Sequence, residues 1–70
     1  MKAELIDRLN NLLPELEHGK ETHRQWRDCD QKYRDENPDI GDKDFHTNLV
    51  KVYENRISCV TDALEYIKNN

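Results

Sequence analysis

A chain of 70 residues, of which 34% are hydrophobic and 37% charged, is long enough for one domain with a small core and too short for several. Its net charge of −4 argues against a bulk electrostatic affinity for DNA or anionic membranes. No stretch resembles a signal peptide or a membrane span, so we expect one cytoplasmic domain over residues 1–70 without membrane insertion.

The first predicted helix covers about residues 2–36. Pro14 lies inside it, and because proline removes one helical hydrogen bond and clashes with the preceding turn, we expect a kink near residues 10–14. The alternative is a separate short first helix. An alternating spacing of three and four residues predicts a heptad stripe that packs against a neighbouring helix. The residues of this predicted stripe are Leu5, Leu9, Leu12, Leu16, Gly19, His23, Trp26, Asp30 and Tyr33.

A break follows in the segment 37–42, which we predict to be a loop. Proline disfavours helical geometry at the residue before it, so Asn37 ends the first helix. The carboxylate of Asp42 can then cap a second helix over about residues 43–68. No stretch alternates as a strand would. Because the loop is short, the sequence predicts an all-α fold in which the two helices form an antiparallel hairpin.

The second helix carries apolar residues round an arc of about 200°, wider than the ~100° stripe that one neighbouring helix requires. With the turn centred near residue 39, residues 1–8 project beyond the second helix, and apolar side chains of both helices gather at the open end. The predicted partner-binding residues are Leu5, Ile6, Leu9, Leu13, Ile57, Val60, Leu64, Tyr66 and Ile67. A second copy or another protein would cover them and complete a four-helix bundle.

An alternative keeps the chain monomeric. The first dozen residues would fold back at Pro14 and cover the second helix as part of a three-helix monomer. Connections between helices in bundles usually take two to eight residues, and the dipeptide Leu13-Pro14 does not supply the turn residues for such a reversal. The sequence therefore favours an interface.

The histidines and cysteines do not form a metal-site pattern. His18 and His23 are five residues apart and point to different sides of a helix, whereas zinc ligands on one helix recur at i, i+4 or in a Cys-x-x-Cys knuckle. Cys29 and His46 lie at different heights from Cys59. We predict no metal and no cofactor, and we expect both cysteines to be free thiols. His23 is expected to pack near Trp26 as a partly buried histidine.

Catalytic groups are also missing from the pattern. A nucleophile needs a base and an orienting group in one pocket, and no histidine lies near Ser58 and Cys59 in the hairpin. A two-helix hairpin also lacks a concave site of the usual size for a small-molecule substrate. We therefore predict that the chain is not an enzyme.

A basic stripe on the first helix suggests a nucleic-acid interface as an alternative, since it lies close to the aromatic rings of Trp26 and Tyr33. The stripe contains Lys20, Arg24, Arg27 and Arg34. The competing interpretation is a solvated face laced with ion pairs, each worth about 0.2–0.5 kcal/mol. The predicted pairs are Glu21–Arg24, Asp28–Lys32 and Asp30–Arg34. These carboxylates reduce the positive electrostatic potential of the stripe, which favours a solvated face over a nucleic-acid interface.

The pattern of helices resembles the small helical-hairpin co-chaperones of bacterial type III secretion systems. The segments that carry the resemblance are Arg8-Leu9-Asn10-Asn11-Leu12-Leu13, the end of a long polar helix at Glu36-Asn37, Phe45-His46-Thr47-Asn48, and Tyr66-Ile67. The resemblance implies a cytoplasmic protein that, with a partner, keeps needle subunits unpolymerised. The hairpin also resembles the antiparallel RNA-binding dimers that control plasmid copy number.

The function predicted from the sequence is protein binding, as a bacterial co-chaperone or adaptor that associates with another protein, with itself, or with both. A phage-type small inhibitor or regulator of a host protein would use the same surface and is a second candidate. An RNA- or DNA-binding dimer that uses the basic stripe is the third.

Overall fold

All 70 residues are described by the computed structural model, which contains three α-helices, one 3-10 turn and no strand. Helix α1 spans Lys2–Asp28, helix α2 spans Gln31–Glu36, the 3-10 turn spans Pro38–Ile40, and helix α3 spans Lys43–Lys68. The all-α class predicted from the sequence is confirmed. None of the helices combines the length and the apolar character that crossing a bilayer demands.

Helix α1 runs through Pro14 without interruption. The alternative of a separate first helix that ends there is therefore wrong. Both Pro14 and Asn10, whose carbonyl loses its helical partner at the proline, are exposed. Solvent can hydrogen-bond the orphaned carbonyl, so the lost helical bond leaves no buried polar group without a partner.

The end of α1 differs from the predicted helix over residues 2–36. The helix stops at Asp28, because Cys29 is extended (φ −66°, ψ 153°) and Asp30 begins a new helix. One carboxylate oxygen of Asp30 accepts a hydrogen bond from the backbone N–H of Tyr33 at 2.8 Å. Aspartate stabilises a helix more as an N-cap than in the interior, so the chain gains a cap by breaking here.

Arg34 holds the broken end of α1. Its guanidinium donates to the carbonyls of Trp26 and Arg27, the latter at 2.8 Å, and to the carbonyl of Gly41 at 3.0 Å. The last carbonyls of a helix have no partner within the helix, and a cation there also opposes the negative end of the helix dipole. The Arg34 side chain therefore supplies the C-terminal cap of α1.

Helix α3 begins as predicted. The side chain of Asp42 accepts a hydrogen bond from the N–H of Phe45 at 2.7 Å, which confirms the predicted cap. Gly41 precedes it with φ +86°, a conformation that L-residues with a side chain rarely adopt. The helix covers residues 43–68, the range expected from the sequence.

Helices α1 and α3 lie against each other along their length and run in opposite directions. Leu5 and Ile67 line one groove at the chain termini, and Trp26 packs against His46 near the connection, with ring centroids 5.3 Å apart. Between them, a methyl group placed on Gly19 would lie 2.5 Å from the ring of Tyr53. Each advance of seven residues along α1 therefore corresponds to seven residues back along α3.

This register corrects the predicted one, in which a turn centred near residue 39 would set Gly19 level with Val60 and leave residues 1–8 beyond the second helix. Gly19 lies instead at Tyr53, a shift of seven residues or about 10 Å along the axis. Leu5 is level with Ile67, so the two chain ends finish together. The shift arises because residues 29–42 fold into α2 and the 3-10 turn rather than extending α1.

The core is very small. Only Val50, Leu64 and His46 are buried. The accessible surface of 5370 Å² exceeds by about 750 Å² the ~4600 Å² expected for a compact monomer of 8.4 kDa. The radius of gyration is 15.9 Å, against about 11 Å for a compact chain of this length, and the principal extents are 51 × 16 × 13 Å. The chain thus leaves more surface open than a monomer of its mass normally does.

Candidate functional site: an apolar side face

Most of the predicted partner-binding residues hold α1 and α3 together and do not form an open surface. Of the nine, only Leu5 and Tyr66 are exposed, at 47% and 71%. Leu64 is buried, and the rest are half-buried: Ile6, Leu9, Leu13, Ile57, Val60 and Ile67. They belong to the line of residues through which the two helices pack, here called the seam. It comprises positions 6, 9, 13, 16, 20, 23 and 27 of α1 and positions 46, 50, 53, 57, 60, 64 and 67 of α3.

The exposed hydrophobic side chains form two other rows, each with a period of seven residues. The rows are Leu5, Leu12, Gly19 and Trp26 on α1, and Phe45, Val52, Cys59 and Tyr66 on α3. Six of the eight large hydrophobic residues exposed in this chain lie in these rows, with 38–71% of their surface open; the other two are Met1 and Tyr33. A repeat of seven keeps a row on one side of a helix over several turns.

Both rows lie on the same side of the α1–α3 pair. Every member of a row comes one position before a seam residue, which turns it by about 100° around its helix. Because the two helices face each other and run in opposite directions, these rotations place both rows on the same side of the pair. The contacts agree, because Gly19 and Trp26 touch Tyr53 and His46, the seam residues that follow Val52 and Phe45. We call these eight residues the side face.

The opposite side of the pair is polar. Its positions come one residue after the seam, and Pro14 is the single apolar residue among them. The remainder are Asp7, Asn10, Glu17, Glu21, Arg24 and Asp28 on α1, and Thr47, Lys51, Glu54, Ser58, Thr61, Glu65 and Lys68 on α3. The positions one residue before the seam include Arg8, Glu15, Thr22 and Arg56 in addition to the two rows, so that side is the more apolar of the two and is not free of charge. This asymmetry identifies the side face as the candidate site.

A cluster of aromatic and histidine rings supports the end of the side face near the connection. The Nε2 of His46 contacts the carbonyl of Ile40, and since a carbonyl only accepts, Nε2–H is the donor. In a neutral ring Nδ1 of His46 must then accept, and it lies 2.9 Å from Nδ1 of His23. His23 also stacks on Tyr53 at 5.7 Å. The two imidazoles thus join α1, α3 and the 3-10 turn.

The prediction that His23 packs near Trp26 as a partly buried histidine is confirmed. Their ring centroids are 5.8 Å apart in an edge-to-face arrangement, and His23 is half-buried. Desolvation, with a further contribution from His46, lowers the pKa of His23 below its ordinary value. The sequence did not identify His46 as the fully buried partner, because a lone histidine after Phe45 carries no signal of burial.

The middle of the cluster is closed to solvent. His46 is completely buried and reaches no solvent. No three side chains of histidine, cysteine, aspartate or glutamate lie close enough together to hold a metal ion. Cys29 is half-buried and Cys59 exposed, and both are free thiols. The rings therefore act as packing and positioning groups.

The basic residues of the predicted stripe already have partners within the chain. Lys20 pairs with Glu17 at 3.7 Å, Arg24 with Glu21 at 3.0 Å, and Arg27 with Asp28 at 2.9 Å. The hydrogen bond from Arg24 lowers the pKa of Glu21. Arg34 is bound to backbone carbonyls.

Of the three predicted ion pairs, the one between Glu21 and Arg24 is formed. The pairs Asp28–Lys32 and Asp30–Arg34 are absent, because the helix that would have set their spacing ends at Asp28. These ion pairs offset part of the positive charge that the stripe would present to phosphates.

Comparison of the chain with protein-family models, with curated proteins and with solved structures finds no match.

Proposed function

We propose that this chain is a non-enzymatic protein-binding module that acts through its side face, as a small cytoplasmic co-chaperone or adaptor in a bacterium. The single observation that carries the proposal is the concentration of exposed large hydrophobic side chains on one side of the α1–α3 pair. Apolar patches of more than a few hundred Å² are uncommon on monomers and usually mark interaction sites.

The mechanism would be the burial of aromatic anchors against a helical partner. Trp26, Phe45 and Tyr66 offer the large rigid side chains that dominate binding free energy in many interfaces. Their heptad spacing matches a partner that is itself a helix or a pair of helices. On this proposal the chain is an antiparallel helical hairpin that is completed as a four-helix bundle when the partner binds. An adaptor of this kind would cover an apolar helical segment of its client.

A matched pair of variants tests the proposal. Val52→Asp places a charge in the middle of the side face, whereas Ser58→Asp adds the same charge to an exposed position on the polar side of α3. An unpaired carboxylate in an apolar interface costs several kcal/mol, so Val52→Asp should weaken association by about 100-fold or more. Ser58→Asp should leave association unchanged.

The measurement has two arms, with circular dichroism to verify that both variants keep their helices. In the first, sedimentation of the purified chain measures association between copies. In the second, the tagged chain is captured from the cells that produce it, and its bound proteins are quantified by mass spectrometry. A protein, or a second copy, that is lost with Val52→Asp and retained with Ser58→Asp supports the proposal. If neither arm shows association that depends on Val52, the chain is not a binding module of this kind.

A further inference from the structure

We infer that the occupant of the side face is a second copy of this chain, so that two α1–α3 pairs close one four-helix bundle. This inference rests on the proposed function, because it names the partner of the same face. It follows from three observations on this side of the pair: the matched levels of the two rows, the positions of Glu15 and Arg56 beside them, and the length of the rows.

The two rows of the side face are matched in height. Leu5 lies level with Tyr66, Gly19 with Val52, and Trp26 with Phe45. In each case the α1 residue contacts, or lines one groove with, the seam residue that directly follows the α3 residue. By the same register Leu12 lies level with Cys59. A second copy turned by half a rotation about the long axis places its α3 row over this α1 row with every level preserved. No sliding is needed, and the interface is isologous, as a symmetric dimer requires.

The paired levels also differ in bulk in a way that the rotated copy accommodates. Gly19 has no side chain, and the ring of Tyr53 of the same chain fills the space beside it at the middle of the face, so a second copy would meet that ring and Val52 there. Aromatic rings lie toward both ends, with Tyr66 at the chain termini and Trp26 beside Phe45 near the connection. Each new helix contact would again be between helices that run in opposite directions, as within the chain.

One charged residue interrupts the apolar series of α3, and the rotated copy brings it a partner. The series at spacings of three and four is Phe45, Leu49, Val52, Arg56, Cys59, Ala63 and Tyr66. Arg56 lies 5.9 Å from the centre of the Tyr53 ring and has no ion pair within the chain. Glu15 also lacks an ion pair. It lies beside the α1 row at the level of Arg56, so the rotation sets each Glu15 next to Arg56 of the other copy.

The length of the rows suits a second copy. The α1 row extends over 21 residues from Leu5 to Trp26, or about 32 Å of helix. A partner with rows of the same length and period fits this surface along its whole extent, and this chain is itself such a partner.

The test is sedimentation equilibrium of the purified full chain under reducing conditions, which prevent a dimer through Cys59 disulfides. We expect a species of twice the chain mass of 8.4 kDa at micromolar concentration. Val52→Asp should be monomeric and Ser58→Asp dimeric, with helical circular dichroism retained in both. A monomeric wild-type chain at 100-fold higher concentration, about 0.1 mM or more, would overturn the inference.

A charge exchange tests the proposed orientation. Glu15→Arg alone and Arg56→Glu alone place like charges together twice per dimer, and each should raise the dimer Kd about 10-fold. The double variant, Glu15→Arg with Arg56→Glu, should restore the wild-type Kd. A dimer that Val52→Asp leaves intact, or a double variant weaker than either single one, overturns the inferred arrangement. If the chain is monomeric and a different protein is lost with Val52→Asp in the capture experiment, the inference fails while the proposed function stands.

Discussion

Gly19→Ala is the substitution that most sharply tests the packing of α1 on α3. In the interior of a helix, alanine is more favourable than glycine by about 1 kcal/mol, because glycine has more backbone freedom to lose on folding. On propensity alone the substitution would stabilise the chain. At this position, however, the new methyl carbon would lie 2.5 Å from Cε1 and 2.6 Å from Cζ of Tyr53, far inside the contact distance of two carbon atoms.

The Tyr53 ring cannot move away without a cost. It stacks on His23 with centroids 5.7 Å apart, and His23 is hydrogen-bonded to the buried His46. Overpacking of this kind usually costs about 1–3 kcal/mol. Against the ~1 kcal/mol gain in propensity, Gly19→Ala should therefore lower the free energy of unfolding by roughly 0–2 kcal/mol. In a Tyr53→Ala background the obstacle is gone, and the same substitution should raise it by about 1 kcal/mol.

The assay is urea unfolding followed by circular dichroism for the four chains of this double-mutant cycle. All must be compared at one chain concentration, since association adds to apparent stability. The cycle should give a coupling free energy of about 1–3 kcal/mol between the two positions. If Gly19→Ala stabilises the wild-type background by as much as it stabilises Tyr53→Ala, then the close approach of α1 and α3 at this level is refuted.

Two further predictions concern the groups that join the connection to the helices. Because the pKa of His23 is lowered in the folded chain, the unfolded chain binds more protons below pH ~6.5. The free energy of unfolding should then decrease as the pH falls from 8 to 5.5. His23→Phe should reduce this pH dependence, whereas His18→Phe, at an exposed position, should leave it unchanged. An equal pH dependence of the unfolding free energy for both variants in urea titrations would contradict this. Arg34→Ala removes the cap of α1 and should destabilise the fold by about 1–3 kcal/mol, with Arg34→Lys recovering only part because lysine lacks the guanidinium fork. Full recovery by lysine in the same assay would show that charge alone matters.

The sequence predicted the elements that depend on local signals. Helix α3 and its cap at Asp42 follow from a proline, a glycine and an aspartate in one short segment. The break after Asp28 could not be predicted in this way, because the heptad spacing continues through Asp30 and Tyr33. The break depends on Arg34, whose bonds to Trp26 and Arg27 span eight and seven residues, respectively. No pattern of neighbouring residues reveals such a contact.

The side face was hidden for a related reason. The apolar spacing of α1 in the sequence mixes two rows, since Leu9, Leu16 and His23 belong to the seam while Leu5 and Leu12 belong to the side face. The seam also includes Lys20 and Arg27, which are half-buried along their aliphatic stems. Two charged residues therefore occupy positions that a hydrophobic pattern assigns to solvent. The wide apolar arc of α3 was visible in the sequence, but which part of it stays open depends on the register.

The three-residue core has a consequence for how much of this protein a cell contains. A chain that shields only Val50, Leu64 and His46 has little folding free energy of its own. Closure of the side face would then supply a large share of it, so that folding and assembly become a single concentration-dependent equilibrium. Copies at concentrations too low to assemble would spend longer unfolded and be removed by proteases. Its abundance would thus be limited by assembly as well as by synthesis.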